Sequence, residues 1–92
     1  MDFEWDEDKA ASNLRKHRVG FEEAARVFLD PSRIEIFDSR QAYGEDRWIT
    51  IGMVEPAILV VVYTARGEND EIIRIISARK ADKDERAQYQ AG

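Results

Sequence analysis

Apolar residues in this chain change their spacing near residue 33, from intervals of three and four to strict alternation, and that change of period marks a passage from helix to strand. Over residues 6–17, Ala10 and Leu14 form a short apolar stripe. Asp6 suits an N-cap, Glu7 and Asp8 fall in the first turn, and Arg15, Lys16 and His17 fall in the last, the charge order that a helix dipole favours. Trp5, just ahead of the cap, is placed to pack down on the stripe. Gly20 interrupts the pattern. Phe21, Ala24, Ala25 and Phe28 then resume helical spacing until Asp30-Pro31 stops it.

Beyond residue 33 the period is two. Ile34 and Ile36 alternate with Arg33 and Glu35, and Ile49, Ile51 and Met53 alternate with Trp48, Thr50 and Gly52. Residues 58–64 are apolar on both parities, as in a central strand covered on both faces, and residues 72–78 make a fourth strand. Glu55-Pro56 and Gly67-Glu68-Asn69-Asp70 read as short connections, which makes neighbouring strands antiparallel. The polar stretch from Ala81 to Tyr89 reads as a short terminal helix capped by Ser77 or Asp82. The expected fold is α+β: two N-terminal helices, a four-stranded antiparallel meander and a short C-terminal helix, with the helices on one sheet face. Polar residues on the open face are then the first candidates for function.

Length and charge narrow the picture. Ninety-two residues without cysteine make one domain, 1–92, held by a modest core in a reducing compartment. The longest apolar run, Ala57 to Tyr63, is seven residues against the roughly 20 of a membrane helix, and the start lacks the pattern of an export signal; the expectation is a soluble cytoplasmic protein. The formal charge of −5 argues against a nucleic-acid partner until its distribution is considered. The first eight residues hold five acids and no base, and the remaining 84 carry 14 charges of each sign. The body is neutral, so local basic patches are compatible with it: Lys9 with Arg15, Lys16, His17 and Arg18, and Arg74, Arg79, Lys80, Lys83 and Arg86, which outnumber the acids Asp82, Asp84 and Glu85.

Several residues form a specific combination: Trp5-Asp6, Lys9, Asn13 and Lys16-His17; Phe21-Glu22-Glu23-Ala24, Phe28 and Asp30-Pro31; Glu45-Asp46-Arg47 and Gly52; Val61-Val62-Tyr63-Thr64 with Arg66; the block from Ile73 to Ala81; and Glu85-Arg86 with Tyr89. Over residues 5–89 the chain resembles the BrnT family of bacterial toxins. The resemblance implies a RelE-like ribonuclease fold, a place in a type II toxin-antitoxin pair, inhibition of translation, and neutralisation by a BrnA-like antitoxin that carries its own DNA-binding part. DNA contact would then be indirect, and RNA would be met free or on the ribosome. One departure stands out: family members commonly place Gly after the Lys-His pair, and Arg18 stands there, which bears on the helix exit and the aim of His17.

Metal-free RNA cleavage needs a base for the 2′-hydroxyl, an acid for the departing 5′-oxygen and positive charge around the phosphorane. Lys9, Asn13 and His17 recur every four residues and share one helix face. They are either a solvated stripe or, with His17 suited to proton transfer near neutral pH and Lys9 to phosphate contact or proton transfer, part of a site. Glu45 is either a base or a partner of Arg47. Arg47, Arg66, Arg74 and Arg79 come from separate elements, and guanidinium groups grip phosphate in two-pronged geometry; Lys80 and Arg86 add cationic contacts for RNA. Arg74 interrupts an apolar strand and points out of it. By simple alternation, however, Arg74 and Arg79 have opposite parity and cannot share a face unless the strand bends or ends between them. Tyr63 and Tyr89 could stack on a base or donate a phenolic proton; Tyr63 reads equally well as core. The candidate catalytic set is therefore Lys9, His17, Arg47, Arg74, Arg79 and Tyr89, with Arg66, Lys80, Arg86 and Tyr63 for RNA binding. No His/Cys cluster or phosphate-binding Gly loop is present, so neither a metal nor a cofactor is expected. The competing reading is a non-catalytic protein-binding module. Direct DNA recognition is weaker still, for want of a densely basic helix.

Overall fold

The protein is described by a computed structural model over residues 1–38 and 46–92. In chain order its elements are β1 (Asp2–Glu4), α1 (Glu7–His17), α2 (Phe21–Ala25) continued by a 3-10 turn (Arg26–Leu29), β2 (Ile34–Asp38), β3 (Arg47–Val54), β4 (Ala57–Arg66), β5 (Ile72–Lys80) and α3 (Lys83–Ala91). The strands form one sheet in the order β1-β5-β4-β3-β2. The β2–β5 meander is antiparallel, as the alternation predicts, and β1 adds to β5 in parallel.

Two features of the expected architecture are corrected. Among the described residues the sheet has five strands and is mixed. Strand β1, with only Phe3 between two acids, is too short to show a period, and its pairing is with residues 70 positions away. Nor do the helices share a face. The packed faces of α1, α2 and the 3-10 turn, with Val19, Phe21, Ala24, Val27 and Phe28, cover Leu59, Val61, Tyr63, Ile73, Ile75 and Ala78. On the other face Ile51, Ile58 and Val60 meet Ala81 and, from α3, Tyr89. Polar throughout except for a few positions, α3 carries no periodic stripe that could reveal which face it covers. Its start is fixed locally: the Asp82 carboxylate accepts from the Glu85 amide and the Glu85 carboxylate accepts from the Asp82 amide, both at 2.9 Å.

The decisive local feature is in β5. Val62 pairs with Ser77 while Tyr63 pairs with Ile75, so Ile76 is an extra residue, a β-bulge. A bulge shifts the alternation by one. Ile73 and Ile75 before it and Ala78 after it therefore all face the helix-side core, and Arg74, Ser77 and Arg79 all project from the opposite face, across from Thr64, Val62 and Val60. The strand bends where the parity argument requires it.

Helix α1 is docked by a polar group rather than an apolar stripe. Asn13 is buried, and its amide donates to the carbonyls of Val19 (3.0 Å) and Ala78 (2.8 Å) and accepts from the Ala78 amide (3.2 Å). Beyond Glu4, where β1 ends, this side chain takes the place of a neighbouring strand along the β5 edge. Ala10 packs into the core as expected, but Leu14 is 51% exposed. Trp5 meets the edge of Phe21 at 5.9 Å and donates its indole N–H to Glu7. The helix ends at Arg18, which holds the left-handed conformation (φ 61°) and donates its amide to Leu14. Arginine thus occupies a conformation that glycine adopts without cost.

Two outcomes follow from these contacts. Asn13→Ala leaves a strand amide and two carbonyls buried without partners and should lower unfolding stability by about 2–4 kcal/mol, given ~1–3 kcal/mol for each unsatisfied group and some recovery by water. Arg18→Gly should raise it by about 0.5–1 kcal/mol, relief of the left-handed strain being offset in part by a more flexible unfolded chain. Urea titrations of both variants measure the two shifts.

Candidate functional site

Helix α3 covers only one end of its sheet face. At the other end, Arg74 on β5, Arg66 on β4 and Arg47 on β3 project from the same face as the buried Thr64, as the pairing of Arg74 with Thr64 and the alternation Thr64–Arg66 and Arg47–Ile49 require. Two of the arginines converge on one carboxylate: Arg74 donates to Glu4 Oε2 at 2.8 Å, and the Arg66 guanidinium lies 3.8 Å from the same oxygen. Arg79 also projects to this side but lies against α3, where it makes a two-pronged pair with Glu85 at 2.7 Å for each contact. The Glu85 bond is the chief cause that raises the Arg79 pKa, and the same bond chiefly lowers the Glu85 pKa.

A second group of candidates borders the same strand from the edge. Lys9, Ser12, Asn13, Lys16 and His17 of α1 face Ile76 and Ser77 across a cleft of about 220 Å³. The stripe of Lys9, Asn13 and His17 is thus set against β5 at the bulge, with Asn13 used for docking and Lys9, Lys16 and His17 lining the opening. Ser77 and Arg74, on the same side of β5, connect this cleft to the arginine surface.

The remaining candidates are placed elsewhere. Tyr63 lies on the helix-covered face, edge-on to Phe28 at 5.0 Å, and donates its hydroxyl to Glu35. Burial first and the Glu35 bond second push its pKa far above the ordinary tyrosine range. Tyr89 donates to Asp30, and this bond is the main cause of its raised pKa. Lys80 and Arg86 line a separate hollow with Met53, Pro56 and Gln90, and Arg86 donates to the Ala81 carbonyl at 2.9 Å. Glu45 lies outside the described residues. Two groups in the arginine surface escaped the sequence reading. Glu4 was part of an acidic start, and Thr64 looked like one more residue of a central strand; only pairing partners reveal either. Among the described residues no group of three or more His, Cys, Asp or Glu could hold a metal ion, and no helix is long and apolar enough to cross a membrane.

Comparison with known proteins identifies the family. A family model described as "Ribonuclease toxin, BrnT, of type II toxin-antitoxin system" matches residues 5–85. The chain belongs to the BrnT family. Its fold is similar to the crystal structure of the Brucella abortus ribonuclease toxin BrnT, with a TM-score of 0.67 and 28% identity over 90% of this chain and 99% of that one. No curated protein matches the chain at a significant level. BrnT membership accounts for the α+β architecture. Residues 86–92, most of α3, lie beyond the family match.

In this BrnT-family chain α3 is held by two acid-sensitive contacts, Arg79–Glu85 and Tyr89–Asp30. Burial acts to raise the Asp30 pKa, but bonds from Tyr89, the Met53 amide and the Ser32 amide, with the Arg33 charge, outweigh it and leave it below the ordinary 3.8. Both carboxylates thus titrate lower folded than unfolded, so their stabilisation is complete above about pH 4–4.5 and is lost as pH falls through the lowered values. The melting temperature should fall on acidification below about pH 4, and Asp30→Asn, less stable at pH 7, should show a shallower fall; thermal melts from pH 7 to 3 compare the two.

Proposed function

We propose that this chain is the toxin of a type II toxin-antitoxin pair and an RNA endonuclease that works by acid–base chemistry without a metal ion. The observation that carries the reading is the gathering of Arg66 and Arg74 on one open sheet face beside Arg47, with the Lys9/His17 cleft adjoining. In this reading the guanidiniums hold the scissile phosphate and stabilise the charge that builds on its oxygens in the pentacovalent state. His17 and Lys9 serve proton transfer from the α1 side: a protonated imidazole can donate to the 5′-oxygen as the P–O5′ bond breaks, and the Lys9 ammonium adds positive charge to the backbone track. Arg79 extends the cationic face toward α3 while its pair with Glu85 keeps that helix in place. Tyr63, Tyr89, Lys80 and Arg86 stand outside the reacting region and support the fold or the flanking RNA.

Loss of RNA by this route stops translation, and the partner is a BrnA-like antitoxin that covers the arginine face. A neutral body with an acidic start is compatible with RNA binding because phosphate meets the local surface, not the net charge. Purified toxin, freed of antitoxin, should degrade RNA in the presence of EDTA, and its expression should arrest growth. Arg74→Ala should reduce cleavage by about a hundredfold or more, the scale of losing one transition-state charge contact, while leaving the far-ultraviolet dichroism unchanged. Absence of cleavage by the intact toxin would overturn the reading, and cleavage that stops in EDTA would overturn its metal independence.

A further inference from the structure

Glu4, Arg74 and Thr64 stand in one lateral row across the open face. Glu4 pairs with Arg74 in the parallel β1–β5 ladder, and Arg74 pairs with Thr64 in the antiparallel β4–β5 ladder. Neighbouring strands are about 4.8 Å apart, so a carboxylate, a guanidinium and a hydroxyl follow one another within about 10 Å, the reach of a single nucleotide unit.

The members of the row differ in how far they are open to a ligand. Thr64 is only 3% exposed and its hydroxyl is buried, so it floors the row and leaves Glu4 and Arg74 as the groups a ligand reaches. Glu4 is not needed to anchor β1. That strand is held through its backbone, with the Asp2 amide donating to Glu71 at 2.9 Å, and by Phe3 packing on Phe28 at 5.4 Å. The Glu4 side chain is 38% exposed, so solvent and substrate reach it. By contrast, Asp38 on the same face is buried, and Glu85 is held by Arg79 and by the Asp82 amide.

We propose that Glu4 is the general base of the cleavage reaction; the assignment rests on the ribonuclease reading above. At rest the Arg74 and Arg66 guanidiniums surround the carboxylate. An incoming phosphodiester takes over their N–H donors, which leaves Glu4 beside the ribose with a lone pair free. The proton of the 2′-hydroxyl passes to Glu4 as the 2′-oxygen bonds to phosphorus. The P–O5′ bond breaks, and the 5′-oxygen takes a proton from the cleft acid, for which His17 is the candidate. The products are a 2′,3′-cyclic phosphate and a 5′-hydroxyl, and no co-reactant is consumed.

Single-turnover cleavage of an RNA oligonucleotide, binding of its fully 2′-O-methylated counterpart and thermal melting, each measured for wild type, Glu4→Gln and Glu4→Asp, test this. Glu4→Gln should cleave about a hundredfold or more slowly, within the range that a positioned base contributes. It should bind the methylated strand as well as wild type or more tightly, since an anion has been removed from a phosphate site, and should melt at the same temperature. Glu4→Asp, with its carboxylate drawn back, should recover part of the rate. Cleavage by Glu4→Gln within about threefold of wild type, the margin of an ordinary surface change, would reduce Glu4 to an ion-pair partner, and faster cleavage would make it an occluding group; either result overturns the proposal. Parallel losses of binding and cleavage would also overturn it, in favour of a role in placing Arg74. Wild-type toxin that cuts no RNA would overturn the ribonuclease reading together with this assignment.

Discussion

One extra residue in β5 decides which face each of its side chains meets. With a regular alternation from Ile72 to Lys80, either Ala78 would leave the core or Ile73 and Ile75 would, because a one-residue slip moves every later side chain across the sheet. The bulge at Ile76 keeps all three inside and places Arg74, Ser77 and Arg79 together outside. Core packing and the cationic surface are therefore consequences of the same local irregularity, which the buried apolar contacts on one side hold in place. The bulge also adjoins the cleft in which α1 presents Lys9 and His17.

Around that strand the protein balances its charges locally. Arg74 and Arg66 meet Glu4, Arg79 meets Glu85, and Arg33 meets Glu35. Half-exposed pairs of this kind contribute little to stability in water, so their effect is chiefly orientation. The pairs differ in what surrounds them. Glu85 belongs to a capping box and ties Arg79 to a helix start. Glu4 sits at the end of a three-residue edge strand with its carboxylate partly open to solvent.

Polar groups also carry much of the docking in this small core. Asn13 stands in for a strand along β5. Asp30, at the end of the 3-10 turn, accepts from the Met53 amide at 2.8 Å and from Tyr89, linking the helix-covered face to α3 around the edge of β3. Gly52 completes that corner: a Cβ there would come within 2.8 Å of a Val27 methyl, so the turn packs directly against the strand backbone. Polar contacts of this type, buried at Asn13 and partly buried at Asp30, define a single arrangement of helices on a sheet more sharply than apolar area does, since a misplacement leaves groups unsatisfied.

Much of the architecture was legible in the chain itself. The change of period near residue 33, the acid–base asymmetry of residues 6–17 and the Asp30-Pro31 stop determined two helices followed by a meander, because such signals depend on neighbours in sequence. Family-like residues between Trp5 and Tyr89 determined the toxin assignment. The tertiary structure alone decided the parallel strand β1, the crossing of α3 to the second face, the docking role of Asn13 and the separation of Tyr63 and Tyr89 from the arginine surface. Arg74 and Arg79 are the sharpest case. Regular alternation put them on opposite faces unless the strand bends or ends between them, and a bulge stabilised by contacts with β4 and α1, distant in the chain, supplies that bend; a register is a property of paired strands, and no strand contains it by itself.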